Sequence, residues 1–287
     1  MKKIKNFIIL IISGFAIISC SEDDKAISVL LDNVERGGIL RTTNFNGTYN
    51  IFNLTDDVFK FELGLEEQDQ SGGDDVLEVR LYQSFRDNTD DATDNSKPEA
   101  LVSTTPKSAM GTSENGFPTL SATMLLSEAL TVNGLSQDDV FGGDQFIYRL
   151  ELELTDGRVF TNTVGGTVSG GSFFSSPFAY TVTVKCVPVD PFSGDYILNL
   201  LDSYGDGWDG AFITVTIDGV ATDYTATGSG TTHTVTVPDG TTSLSFVYTS
   251  GAFEGEHTYV ITGPFGVTAA EDGPGPSTGE IILNICN

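Results

Sequence analysis

Between Gln145 and Leu154 the chain alternates without a break. Phe146, Tyr148, Leu150, Leu152 and Leu154 fall on one face, with Arg149, Glu151 and Glu153 on the other. A period of two is what a half-buried β-strand presents, because successive side chains point to opposite sides of the pleat. A helix cannot use that pattern, since every second residue would scatter the apolar positions around its axis. The Thr155-Asp156-Gly157-Arg158 stretch that follows is a hairpin signal, because Asp-Gly tolerates the positive φ of tight turns. This part of the chain is therefore committed to antiparallel sheet.

Other segments repeat the pattern. Phe59, Phe61, Leu63 and Leu65 share a face, as do Leu77, Val79 and Leu81. Leu120 to Leu126 and Tyr180 to Val184 add two strands, and Ile39 to Thr42 opens the set. Six or seven antiparallel strands over residues 29–187 predict an immunoglobulin-like β-sandwich. A helical turn is expected between Ser127 and Asp144, starting near Ser136, where Asp138 and Asp139 suit the positive end of a helix dipole. Val187 to Phe192 reads as a Pro/Val linker. Beyond it, shorter strands are expected at Tyr196–Leu201, Phe212–Ile217, Thr232–Val237, Leu244–Thr249, Thr258–Thr262 and Glu280–Ile285, with Asp218-Gly219 and Asp239-Gly240 as turns. The class is all-β, with two β-sandwich domains in tandem, the second covering residues 188–287.

Charge narrows the partners. Forty acidic residues against 14 basic ones give a net charge of −26, and such a surface repels nucleic acid and anionic lipid. The apolar alternation separates this chain from an acidic disordered tail. Lys2, Lys3 and Lys5 followed by the apolar stretch Phe7 to Ile18 form the n- and h-regions of a signal peptide, residues 1–19. The apolar run is too short to span a bilayer. Ile17-Ile18-Ser19-Cys20 resembles the lipobox of bacterial lipoproteins, which implies acylation of Cys20 and a lipidated tether over residues 20–28; the alternative is an ordinary signal peptide with a chance cysteine. Ser21-Glu22-Asp23-Asp24 resembles the acidic export signal of Bacteroidetes lipoproteins. That resemblance implies an outer-membrane protein held by acyl chains and facing the medium.

Removal of the leader leaves Cys186 and Cys286, which bracket the last hundred residues. First and last strands of a sandwich are often neighbours, so a disulfide is expected; two buried thiols are the alternative. Closing a loop of this length is worth about 4–5 kcal/mol in the chain-entropy model.

Chemistry concentrates in Asp202-Ser-Tyr-Gly-Asp-Gly-Trp-Asp-Gly210. Asp202, Asp206 and Asp209 crowd together beside the only tryptophan, Trp208, and no lysine or arginine follows Lys185. Like charges with no internal counter-charge ask for an external cation. The spacing is not that of an EF-hand, whose third and twelfth positions would here be Tyr204 and Ile213. The stretch resembles the Asp-Ser-Tyr-Gly-Asp-Gly-Trp-Asn-Gly signature of small secreted β-domains, in which a later glutamate precedes an aromatic strand. Phe253-Glu254-Gly255-Glu256-His257-Thr258-Tyr259 matches that element. The resemblance implies a structural Ca2+ site built from Asp202, Asp206, Asp209 and Glu256, with carbonyls and water completing its shell. A polar turn whose aspartates cap backbone amides, with Trp208 as a core plug, is the competing reading; a stacking platform for a sugar is a further role for Trp208. Asp87, Asn88, Asp90, Asp91 and Asp94 form a second acidic loop, either solvated or a second calcium site. His233 and His257 lack zinc spacing, and no Gly-x-Ser-x-Gly or Cys–His pair occurs. The chain is expected not to be an enzyme.

Residues 29–187 as a whole resemble flavobacterial outer-membrane lipoproteins, through Gly37-Gly38-Ile39-Leu40-Arg41-Thr42, Ser84-Phe85-Arg86-Asp87-Asn88, Gly143-Asp144-Gln145-Phe146, Leu154-Thr155-Asp156-Gly157-Arg158 and Gly171-Ser-Phe-Phe-Ser-Ser-Pro-Phe178. The resemblance implies a non-catalytic binding subunit accompanying a SusC/SusD-type transporter, with extracellular glycan or peptide as ligand. A calcium-dependent adhesion or matrix module is the alternative, and a hydrolase the least expected.

Overall fold

A computed structural model describes residues 37–89, 93–163, 166–170 and 174–286. The signal peptide, the tether and Cys20 lie outside the described residues, as do Asp90, Asp91 and the Gly171-Ser172-Phe173 part of the last matching stretch.

The first seven strands are Ile39–Asn50 (β1), Phe61–Gln68 (β2), Val76–Arg86 (β3), Lys97–Pro106 (β4), Gly111–Thr112 (β5), Pro118–Met124 (β6) and Gln145–Leu154 (β7). Val159–Phe160 (β8) and Ala179–Lys185 (β9) follow, and together these form one nine-stranded hydrogen-bonded path, β4-β3-β7-β9-β1-β2-β6-β5, with β8 beside β7. Strand β1 is the seam. Its first part, to Gly47, runs antiparallel to β2, and its last residues, Thr48 to Asn50, run parallel to β9. The sequence predicts antiparallel pairs throughout; the parallel pair arises because one strand passes from one partner to the other. Residues from both halves of the path meet in a single core, where the Phe61 ring stacks on Tyr148 at 3.9 Å and the buried hydroxyls of Tyr49 and Tyr148 lie 2.6 Å apart.

Three expectations need correction here. Leu77 does not share a face with Val79 and Leu81: the register against β7 shifts between Val76 and Glu78, which buries Val76 and leaves Leu77 exposed. The helix begins earlier than expected, at Leu126–Asn133 (α1), and Ser136 instead opens a 3-10 turn, Gln137–Asp139, capped by the Asp139 carboxylate. Leu126, Ala129 and Leu130 sit at helical spacing on the buried face of α1, Glu128 accepts from the Leu125 amide, and Gly134 in the left-handed region ends it. The buried Gln83 of β3 holds α1 in place by donating to the Ala129 carbonyl at 2.8 Å. The strand expected at Glu280–Ile285 is reduced to Gly279–Glu280, because the chain then leaves that sheet to bond Ala269 and Cys186. Apart from α1, only a short helix is described, Gly166–Ser169 (α2), and no helix among the described residues is long and apolar enough to cross a membrane.

The remaining strands are Gly194–Asp202 (β10), Phe212–Ile217 (β11), Val220–Tyr224 (β12), Gly230–Val237 (β13), Leu244–Thr249 (β14), His257–Thr262 (β15), Thr268–Asp272 (β16) and Gly279–Glu280 (β17). They make two four-stranded sheets, β13-β10-β15-β16 and β12-β11-β14-β17, which enclose a second core of Trp208, Tyr196, Phe246, Tyr248 and aliphatic side chains. Gly38 to Asn287 cluster as one compact unit, and a defined joint connects the two cores. Cys186 and Cys286 form a disulfide. The Asn50 side chain donates to the Val187 carbonyl and accepts from its amide, at 2.9 and 3.0 Å. Gly142 lies under the disulfide, where a Cβ would fall 1.9 Å from the Cys286 sulfur.

Candidate functional site

Strands β10 and β15 pair antiparallel, with Asp202 opposite His257. The loop that follows β10 and the turn that precedes β15 therefore emerge at the same end of one sheet. The Ser203 amide donates to the Glu256 carbonyl at 3.0 Å and fixes the two turns side by side.

The loop is organised from Asp202 outward. One carboxylate oxygen accepts from the amides of Tyr204 (2.8 Å) and Gly205 (3.3 Å), the other from Gly207 (2.6 Å). Wrapping three amides around one carboxylate requires a chain that turns left-handed repeatedly, and Gly205 and Gly207 take φ values of 104° and 108°. Gly207 also passes close to a neighbouring strand connection, where a Cβ would lie 3.0 Å from the Ala226 carbonyl. Burial alone would raise the Asp202 pKa, but the amides of Tyr204, Gly207 and Gly205, with His257 nearby, hold the carboxyl below the ordinary aspartate range.

Trp208 turns inward. Only 1% of it is exposed, its indole N–H donates to the Leu201 carbonyl at 2.8 Å, and its ring meets Tyr248 edge-on and stacks with His257. This corrects the stacking-platform role for Trp208: both faces are committed to the core, so no sugar can lie on them. Tyr204 and Phe253 are the exposed aromatics at this end.

Asp202, Asp206 and Glu256 each place a carboxylate oxygen so that the three lie within 4.8 Å of one another. Asp209 is not in this group. It is exposed, adopts φ 35°, and its carbonyl accepts from the Ala252 amide. Its charge still acts on the site. The Glu256 carboxyl is raised above the usual glutamate range, by burial first and then by Asp202, Asp206 and Asp209, with His257 pulling the other way. Sequence reasoning missed what keeps Glu254 out of the cluster. Its carboxylate accepts from the Tyr248 hydroxyl at 2.6 Å and from the Gly251 amide, while Nδ1 of the fully buried His257 lies 3.2 Å from the same hydroxyl. Of two glutamates two residues apart, one is tied to the scaffold and the other faces the aspartates.

The donor set suits a hard cation. All three groups offer oxygen, and oxygens in one Ca2+ shell at about 2.4 Å from the ion are at most about 4.8 Å apart, so the spacing is compatible with one shared ion. Three of the roughly four lone-pair positions of Asp202 serve the loop amides, which leaves it one for a metal.

Elsewhere, the second acidic loop caps its own backbone. Asp87 accepts from the amides of Thr89 and Asn95, and Asp94 from Ser96. The His233 Nε2 lies 2.9 Å from the Thr225 carbonyl, and His233 is not part of the carboxylate cluster.

No family model matches the chain, and no curated protein matches it. Among solved structures, the chain is similar to a bacterial adhesin from Mobiluncus mulieris containing intramolecular disulfide, isopeptide and ester bond cross-links. The two are 11% identical, the match covers 88% of this chain and 93% of that one, and the TM-score is 0.23, too low to establish a common fold.

Proposed function

We propose that this protein is a non-catalytic binding module displayed at the cell surface, anchored through Cys20, whose C-terminal half is stiffened by Ca2+ held by Asp202, Asp206 and Glu256. On this reading the two cores are β-sandwiches in tandem, the first immunoglobulin-like. The distal loop is a rigid edge presented to an extracellular glycan or peptide in company with a SusC/SusD-type transporter.

The observation that carries the reading is the carboxylate triad in a stretch, residues 186–287, that has no lysine or arginine to neutralise it. Supporting it, the thiols and imidazoles among the described residues are held in structural contacts. Cys186 and Cys286 are joined, His257 is buried against Trp208 and Tyr248, and His233 faces the Thr225 carbonyl. Calcium in this role holds a loop and does no chemistry.

Titration calorimetry of the protein with CaCl2 is the direct test. Saturable binding that disappears in the Asp206→Asn variant is expected, and no heat above dilution overturns the metal reading. Pull-down on a polysaccharide panel, with and without EDTA, then addresses the ligand. Capture that persists in EDTA fits uptake, and capture that calcium alone supports fits adhesion.

A further inference from the structure

Strand β2 turns Phe61, Leu63 and Leu65 to the core, and the period of two carries Glu67 onto the same face. The side chain is fully buried, and neither carboxyl oxygen has a hydrogen-bond partner among the described residues. What surrounds it is backbone and hydrocarbon. A Cβ on Gly38, at the entry to β1, would lie 3.2 Å from Oε1 and closer still to Leu152, and a Cβ on Gly73 would lie 3.3 Å from Oε2. That same Gly73 position falls 2.1 Å from Pro118 at the start of β6, so the backbone of the 69–75 loop seals directly over the carboxyl.

The charges facing this pocket do not favour an anion. Asp69 and Asp75 come from the covering loop and Lys107 from the turn after β4, whereas β1, β6 and β7 bring Gly38, Pro118 and Leu152. Lys107 is engaged at the surface by Asp74, at 3.0 Å, and Arg41 of β1 leans toward Glu66, not Glu67. Burial first, then the charges of Asp69 and Asp75, push the Glu67 carboxyl up to about 8, and Lys107 offsets only part of this. A neutral acid tolerates such a pocket far better than a carboxylate stripped of water.

We propose that Glu67 is a proton-linked latch: while protonated it allows the 69–75 loop and the entry to β1 to close over it, and on ionisation it forces that corner open. The loop is built to respond as a unit. Asp69 accepts from the amides of Ser71, Gly73 and Asp75, so one carboxylate organises the whole turn, and the Asp75 carbonyl accepts from the Thr155 amide in the β7–β8 turn. A new negative charge at Glu67 repels the Asp69 carboxylate that holds the turn. Opening hydrates both groups, and the Glu67 proton passes to water.

The latch has a quantitative signature. Between the pKa of an exposed glutamate and that of the closed state, opening releases one proton, so the opening equilibrium rises about tenfold per pH unit. Amide hydrogen exchange of Gly73 and Asp75 in the full chain, corrected for the intrinsic pH dependence of exchange, should show protection falling about tenfold per unit from about pH 5 to about pH 8 and levelling beyond. The Glu67→Gln variant keeps the shape without the titration, and its protection should be flat over that range. The same slope in Glu67→Gln, or a flat wild-type profile, overturns the proposal. A carbon-13 titration of the Glu67 carboxyl in the wild type reads the group directly and needs no variant. A midpoint between about 6 and about 8 supports the latch, and one below about 6 overturns it.

Discussion

Neutralising Glu256 should change the sign of its effect with calcium, and that sign change separates a metal site from a structural turn. Without an ion, the Glu256 charge is a liability, because burial and three aspartates disfavour it. Unlike Asp202, this side chain caps no backbone amide among the bonds described, so Glu256→Gln removes the charge and leaves the turn intact. In EDTA the variant should melt at the wild-type temperature or above it. With calcium at about 100 times the dissociation constant, binding stabilises the native wild type by about 2.7 kcal/mol. For a unit spanning Gly38–Asn287 that is about 5–11 °C in Tm. Losing one of three carboxylate ligands and weakening affinity a hundredfold brings the ion to its dissociation constant, where the gain is about 0.4 kcal/mol and the shift about 1–2 °C. Differential scanning fluorimetry of both proteins in EDTA and across a calcium series reads all four values. Equal calcium shifts in the two proteins refute the metal assignment. A Glu256→Gln loss of the same size with and without calcium refutes the electrostatic account of the turn.

Asp202→Ala should lower Tm in EDTA as well as in calcium, because it strands three loop amides, that of the buried Gly207 among them; an EDTA melt equal to wild type would show that the cap is not holding the loop. Replacing both Cys186 and Cys286 by serine should cost about 2–5 kcal/mol, borne by the half of the chain that the bridge closes, and calorimetry should show the second core melting below the first. A single unshifted transition would contradict it. Cys20→Ala should move the protein from the membrane fraction to the soluble one on cell fractionation, and continued sedimentation with membranes would refute lipidation at that residue.

The legible part of the fold is the part that alternates. Phe146 to Leu154 reads as a strand because each second side chain is buried, and β7 is buried at Phe146, Tyr148, Leu150, Leu152 and Leu154. Strand β4 could not be read the same way, since no residue in it is buried and its ends are capped by prolines at 98 and 106. It holds its place by pairing with β3 and by surface ion pairs such as Arg149 with Glu99, which one strand's sequence does not display. Strand β12 escaped for a similar reason: four of its five residues are exposed. The shift at Leu77 lies in the pairing between two strands and has no local signature at all.

At the candidate site, composition marks the place but not the division of labour within it. Asp202, Asp206 and Asp209 are chemically alike and closely spaced, yet they do three different things. Asp202 is buried and spends most of its oxygen capacity on the backbone, Asp206 joins the triad through an exposed side chain, and Asp209 stands outside it in a left-handed conformation. The same holds for Glu254 and Glu256, which a strand of period two would put on one face. The 3-10 turn Glu254–Glu256 breaks that period, so Tyr248 captures the first and the aspartates face the second. The two readings of the loop, an amide-capping turn and a cation site, are therefore compatible in this geometry. The cap builds the turn, and the turn is what carries Asp206 to within 4.8 Å of Glu256, the span of one calcium coordination shell. The geometry at this end of the molecule rests on how Asp202 is used first, because a carboxylate that did not gather Tyr204, Gly205 and Gly207 would leave Asp206 with nothing to face.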